Sequence, residues 1–155
     1  MDFEKKIKDD RESLIRDIMK LVSIDSVESK QAEGMPFGEG PAKALQCYLG
    51  LAEAAGLQTE NFDNYAGHAD YGNGEETVGI LGHVDVVPCG EGWICDPFRP
   101  RIIDGKLYGR GVLDNKGPMV VCLHAVKILK EMGIPLSKKI RLIVGANEET
   151  DWKCM

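Results

Sequence analysis

The sequence predicts a layered α/β fold, because helical and strand patterns alternate along the chain. Three segments carry apolar residues three or four positions apart, as amphipathic helices do, and four short apolar runs bounded by Gly, Asn or Asp have the pattern of strands. The 155 residues, 43% of them hydrophobic, suffice for one ordinary core. We therefore expect one domain over residues 1–155.

The helices can be placed from their apolar spacing and their end signals. The first is predicted over Phe3–Val22, and a Gly-rich loop at 26–40 follows it. The second begins at Pro41, a residue favoured in the first helical turn, and stops near Gly56. The third is predicted over 117–133. Each helix needs a sheet or another helix to cover its apolar side.

The predicted strands supply that cover. They lie at 57–62, 66–71, 77–84 and 140–146. A separate hairpin is expected at 98–108, where Asp104 and Gly105 supply the positive φ angles of a tight turn.

Charge and composition exclude several functions. A formal net charge of −6 argues against nucleic acid as a partner, since phosphate neutralisation needs a surplus of Lys and Arg. The charged first ten residues do not resemble a secretory signal, and no apolar run is long enough for a membrane span. Five scattered cysteines form neither a disulfide framework nor a C-x-x-C zinc site. We expect a cytoplasmic protein.

The first candidate for chemistry is the end of the strand at 77–84. His83 and Asp85 are two positions apart and can face the same side of an extended chain. Ligands of open α/β sheets usually bind at the carboxyl ends of strands, and an imidazole with a nearby carboxylate can hold a metal there. For this segment alone, a hydrogen-bonded pair that closes a strand is the favoured interpretation.

The second candidate is Asp114, in a polar, glycine-flanked turn directly before the third helix. The helix dipole favours an ionised carboxylate at this position, which suits a bridging metal ligand. In isolation, a helix cap or turn residue is again the favoured interpretation.

The third candidate is the pair Glu148 and Glu149, which follows an apolar strand. If the backbone is extended here, the two side chains point apart, so that one can bind metal while the other handles protons. A solvated acidic loop is the ordinary alternative. Taken together, however, the three candidates place a histidine and several acids at strand and helix ends around one sheet.

These residues resemble the M20 class of co-catalytic zinc peptidases and deacylases. The resemblance rests on an ordered set of segments: 82–88, 92–93, 96–98, 104–111, 114–117 and 148–150. The N-terminal helices and the ending at 152–155 are most similar to the PepV-like dipeptidase branch. The resemblance implies a three-layer fold with a mixed β-sheet and flanking helices, a small peptide substrate and two Zn²⁺ ions.

The resemblance also implies roles for single residues. His83 would bind one zinc, Glu149 the other, and Asp114 would bridge both. Glu148 would be the general base and acid, and Asp85 would support the metal bound to His83. A non-proline cis peptide bond is expected between Asp114 and Asn115.

Some features of the M20 pattern are missing from these 155 residues. A further acidic ligand, a C-terminal histidine, a lid domain and the last sheet strands are not found, and we do not expect His68 or His124 to replace the ligands. We therefore expect the N-terminal part of a catalytic domain that alone binds zinc weakly and is inactive. Asp151 stands where the family has Gly, which puts the geometry behind Glu149 in question if that position needs positive φ.

Dipeptide hydrolysis is the leading functional hypothesis. Its alternatives are another M20 activity, such as deacylation of an N-acyl amino acid or carboxypeptidase action, and a non-catalytic truncated product. A flavodoxin-like binding domain fits the α/β pattern but lacks a glycine-rich phosphate loop after a first strand.

Overall fold

A computed structural model describes residues 2–154 of the chain; Met1 and Met155, the two ends of the predicted domain, lie outside the described residues. Its helices and strands follow one another in this order: α1 (Phe3–Val22), α2 (Glu39–Ala54), β1 (Gln58–Phe62), β2 (Ala66–Tyr71), β3 (Thr77–His83), β4 (Arg101–Ile103), β5 (Lys106–Tyr108), α3 (Lys116–Glu131) and β6 (Lys139–Gly145). The predicted elements are confirmed, with small shifts at their ends. None of the helices in residues 2–154 is both long and apolar enough to cross a membrane.

Four strands form one mixed sheet in the order β1-β2-β6-β3. β2 pairs antiparallel with β1 and β6, whereas β3 and β6 run parallel, with Ile80 opposite Leu142. β4 and β5 form the predicted hairpin, and Asp104 and Gly105 have φ angles of 49° and 75° at its turn. The mixed sheet with its flanking helices confirms the predicted fold class.

The core lies between one face of the sheet and the helices. Side chains of alternate strand residues, among them Ala69, Leu142 and Val144, are fully buried there against α2 and α3. α1 packs mainly on α3 through its apolar side, which buries Leu21 and Val22. Side chains on the opposite face of the sheet remain partly or fully exposed, except for His83 at the end of β3.

Parallel pairing of β3 and β6 determines where the functional side chains meet. Both strands end at the same edge of the sheet, because His83 lies opposite Gly145. The segments that follow them, from Val84 and from Ala146, continue side by side, and the N–H of Val84 donates to the carbonyl of Gly145 at 3.0 Å. The start of α3 lies against this same edge, because the side-chain oxygen of Asn115, the residue before α3, lies 3.4 Å from the N of His83.

Candidate metal centre

His83 is the last residue of β3 and the most deeply placed of the predicted ligands. The residue is only 5% exposed. Its Nδ1 lies 3.2 Å from the backbone carbonyl of Asp85, and its Nε2 lies 3.2 Å from the Asp114 carboxylate and 3.6 Å from that of Glu148. One ring nitrogen therefore faces the protein interior, and the other faces the acidic residues at the open edge.

Asp114 reaches this edge from the turn before α3. Its side chain is 71% exposed, so its oxygens are accessible to a ligand. The peptide bond between Asp114 and Asn115 is cis, which confirms the expectation from the sequence. The approach of α3 depends on Gly82, because a Cβ there would lie 2.5 Å from the side-chain oxygen of Asn115. The same oxygen accepts from the N–H of His83 at 3.4 Å.

Glu148 and Glu149 lie in a turn after β6, not in the extended backbone from which we inferred that their side chains point apart. The turn is held by Asp85, which is 2% exposed and whose two carboxylate oxygens accept from the N–H groups of Glu148 and Glu149 at 3.0 and 2.9 Å. Both Glu side chains lie close to His83, and neither is turned away from the site. Asp85 thus links the segment after β3 to the segment after β6.

The electrostatics of the cluster favour a positive charge. Burial lowers the pKa of His83, but the carboxylates of Asp85, Glu148 and Asp114 outweigh it and raise that pKa to about 9. Burial, followed by the charge of Asp114, raises the pKa of Glu149. Burial also works against the charge of Asp85, yet its hydrogen bonds to His83 and to the turn keep its pKa low. A cation bound among these groups would offset the repulsion between their carboxylates.

The donor set fits a metal ion. One ligand atom each from His83, Asp114 and Glu149 can be chosen so that all three lie within 4.8 Å of one another. An imidazole nitrogen with two carboxylate oxygens is a set that Zn²⁺ accepts at catalytic sites. Asp85 and Glu148, the other two site residues predicted from the sequence, lie at the same edge. The fold therefore brings all five predicted residues together.

The other two histidines lie elsewhere. His68 lies on the sheet between Glu60 and Asp70, at 3.8 and 3.7 Å. His124 lies between α1 and α3, where its two ring nitrogens contact carboxylates of α1. Among the described residues, the group that could hold a metal ion includes neither of these histidines.

Asp151, which stands where the M20 family has Gly, does not need positive φ in this structure. Asp151 is not among the residues with positive φ; the positive angle falls one position later, at Trp152, with φ of 56°. The Asp151 side chain instead pairs with Lys153 at 2.5 Å. The turn behind Glu149 therefore forms without a glycine at position 151.

Two buried polar residues beside the centre were not predicted from the sequence. Lys116 is fully buried, and burial lowers its pKa to about 8, partly offset by the charge of Asp25. Ser26 is fully buried as well, and its hydroxyl donates to the carbonyl of Val84 at 2.7 Å. Lys116 carried a signal in the sequence, because a lysine in the first turn of a helix opposes the helix dipole.

The chain is similar to known proteins over the residues that form this edge. The family model described as Peptidase family M20/M25/M40 matches residues 79–153, which include all five site residues. The chain is 45% identical to the protein YtjP of Bacillus subtilis over 157 residues, which is 100% of this chain and 34% of that protein. It is 43% identical to the Beta-Ala-Xaa dipeptidase of Lactobacillus delbrueckii subsp. lactis, over 92% of this chain and 31% of the relative.

Among solved structures, human carnosine dipeptidase 1 superposes with a TM-score of 0.81 at 25% identity, over 94% of this chain and 34% of that protein. The chain spans about a third of the length of the relatives it matches. The match to the Bacillus subtilis protein covers this whole chain, including the mixed sheet and the edge at which the candidate ligands meet.

Proposed function

Since the chain belongs to peptidase family M20/M25/M40 over residues 79–153, we propose that it supplies part of the active site of a zinc-dependent dipeptidase. The observation that carries this proposal is the convergence of His83, Asp114 and Glu149, whose ligand atoms lie within 4.8 Å of one another. In the complete site, His83 would hold one zinc, Glu149 a second, and Asp114 would contact both. Bound zinc would lower the pKa of a coordinated water and polarise the scissile carbonyl.

Glu148 is the general base and acid in this proposal. Its carboxylate lies 3.6 Å from Nε2 of His83, at the same edge as the ligands, and its side chain is 27% exposed. It is therefore accessible to a water and to a substrate amide. Glu148 would accept the proton of the attacking water and return it to the amine that leaves.

Asp85 is a positioning residue for both sides of the site. Its carboxylate is buried, lies 3.4 Å from Nδ1 of His83 and accepts from the N–H groups of Glu148 and Glu149. A carboxylate behind a metal-binding imidazole fixes the orientation of the ring and the tautomer that it adopts. Asp85 would therefore keep Nε2 of His83 directed at the metal while it holds the base in place.

The proposed substrates are dipeptides, supported by the names of the Lactobacillus delbrueckii and human relatives. We propose a cytoplasmic location, and the five free cysteines are compatible with a reducing compartment. The chain on its own would bind zinc weakly and hydrolyse nothing, since the three candidate ligands leave the coordination of two zinc ions incomplete.

A chimera tests the proposal. This chain would replace the matching third of the Lactobacillus delbrueckii dipeptidase, and zinc content and hydrolysis of β-alanyl dipeptides would be measured. We expect an active chimera that Glu148→Gln inactivates by about 10²- to 10⁴-fold without loss of zinc, because only the proton transfer is removed. His83→Ala should instead lose zinc.

Two results would contradict the assignments. Equal loss of zinc in Glu148→Gln and His83→Ala would show that Glu148 acts as a ligand and not as the base. A chimera that folds and binds zinc but cleaves only N-acyl amino acids would favour the deacylase alternative over the dipeptidase.

A further inference from the structure

Lys116, the first residue of α3, has a position that its charge does not favour. Its side chain is fully buried, and an ammonium group at a helix N-terminus opposes the helix dipole. Its Nζ donates to the backbone carbonyl of Ile24 at 2.6 Å, across 92 positions of sequence. The lysine therefore joins the start of α3 to the loop that follows α1.

That loop is itself fastened to the segment after β3. Ser26, two residues beyond Ile24, is fully buried; its hydroxyl donates to the carbonyl of Val84 at 2.7 Å, and its own carbonyl accepts from the N–H of Val86 at 3.3 Å. Val84 and Val86 are the two neighbours of Asp85 in the chain. The loop at 24–26 thus holds the backbone on both sides of Asp85.

The start of α3 is joined to the same strand from the other side. The side-chain oxygen of Asn115 accepts from the N–H of His83 at 3.4 Å, and Lys116 is the next residue. A closed circuit of hydrogen bonds therefore runs from His83 through Asn115, Lys116 and the loop at 24–26 back to the strand end. Asp114 directly precedes Asn115 in this circuit. The end of β3, which carries His83, and the start of α3, which follows Asp114, are therefore both held by it.

We propose that Lys116 is a positioning residue for the metal centre. By binding the loop at 24–26, its ammonium group holds the first turn of α3, and with it Asp114, at a fixed separation from His83. Lys116 acts through these backbone contacts and touches neither the metal nor a substrate. This inference rests on the proposed metal centre and adds the contact that keeps two of its ligands together.

The test uses the 155-residue chain and Co²⁺ as the probe, with visible absorption reporting the coordination of the ion. Lys116→Met removes the ammonium group and retains an apolar chain of similar length. Relief of a buried charge offsets the lost hydrogen bond, so we expect an unfolding midpoint within about 3 °C of the wild type. We expect Co²⁺ to bind about 10-fold more weakly, with a changed absorption band, as when supports of metal ligands are removed.

Tyr48→Phe is the matched control. The buried Tyr48 hydroxyl also donates to a backbone carbonyl of α3, that of Met119 at 3.3 Å, but it has no contact with the loop at 24–26. Its loss should leave the Co²⁺ affinity and spectrum unchanged. Ser26→Ala removes the shorter of the two hydrogen bonds that join the loop at 24–26 to the strand end, and it should weaken Co²⁺ binding in the same direction as Lys116→Met. This variant decides the question if the methionine variant does not fold.

The positioning role would be overturned if Lys116→Met bound Co²⁺ as tightly as the wild type. If Lys116→Met is unfolded, unchanged Co²⁺ affinity in Ser26→Ala would overturn the role instead. Tighter binding by Lys116→Met would overturn it too, because it would mean that the ammonium group acts by repelling the ion. A wild-type chain that binds no Co²⁺ would overturn the proposed metal centre itself, and the positioning role with it.

Discussion

Replacement of Asp85 by Asn tests whether one buried carboxylate holds the turn that carries Glu148 and Glu149. The two oxygens of Asp85 accept one backbone N–H each, at 3.0 and 2.9 Å, from a side chain that water hardly reaches. Asn keeps a single oxygen and presents an NH₂ group to the second N–H. One hydrogen bond is lost, and the other becomes neutral.

The magnitude follows from these two changes. A hydrogen bond to a charged acceptor contributes about 1.5–3 kcal/mol and a neutral one about 0.5–1.5 kcal/mol. Asp85→Asn should therefore lower the free energy of unfolding by about 2–4 kcal/mol, which leaves a domain of ordinary stability folded. Urea unfolding followed by circular dichroism measures the loss. Hydrogen exchange at the N–H groups of Glu148 and Glu149 should become faster, which locates the effect.

Asp96→Asn is the control for this change. Asp96 also accepts a backbone N–H, from Phe98 at 2.9 Å, but its side chain is 52% exposed. Water replaces the lost contact there, so the cost should stay below about 1 kcal/mol. If Asp85→Asn costs no more than Asp96→Asn, or leaves exchange at 148 and 149 unchanged, the carboxylate does not hold the turn.

Three further changes probe the sheet edge, the open face of the sheet and the metal ligand. Gly82→Ala should lower the free energy of unfolding by about 1–3 kcal/mol, because the new Cβ would lie 2.3 Å from a side chain of α3. Gly50→Ala, which has open space around it in α2, should raise the free energy of unfolding by about 0.5–1 kcal/mol. Urea unfolding midpoints measure both changes. Asp70→Asn should cost about 1–2 kcal/mol at pH 7, since it breaks the paired hydrogen bonds to Arg141 at 2.8 and 2.6 Å that lower the pKa of Asp70. Because the pKa of Asp70 is lowered in the folded state, this stabilisation is present above the ordinary Asp pKa of ~3.9 and disappears as pH falls through the folded pKa. The free energies of unfolding of the wild type and Asp70→Asn should therefore become equal in acid. A difference that persists there would contradict the ion pair as the cause. Co²⁺ affinity should rise about tenfold per pH unit from pH 6 to 9, because the metal must displace the proton of His83, whose pKa is about 9. An affinity that does not depend on pH would exclude His83 as a ligand.

Local signals account for what the sequence predicted well. The apolar spacing of Phe3–Val22 gives the bounds of α1, and Asp104 with Gly105 gives the hairpin turn, since both features depend on residues close together in the chain. The convergence of His83 with Glu149 could be expected as well, because both follow apolar strands and the carboxyl ends of parallel strands meet at one edge.

The features that the sequence did not predict depend on contacts between distant segments. The placement of β6 between β2 and β3 joins positions more than 60 residues apart, which no local pattern encodes. The hydrogen bonds from Asp85 to the turn at 148–149 and from Lys116 to Ile24 are of the same kind. A buried lysine becomes understandable only when its carbonyl partner is known, since composition alone places lysine at the surface.

The position of Asp85 explains why the site can be stable before a metal binds. Its carboxylate is satisfied by the turn and by His83, so it holds the segments after β3 and β6 together without a cation. The outer carboxylates of Asp114, Glu148 and Glu149 face one another and one imidazole, and they gain most from added positive charge. Removal of Asp85 should therefore affect folding and metal binding together, whereas removal of Asp114 should weaken metal binding with little change in stability.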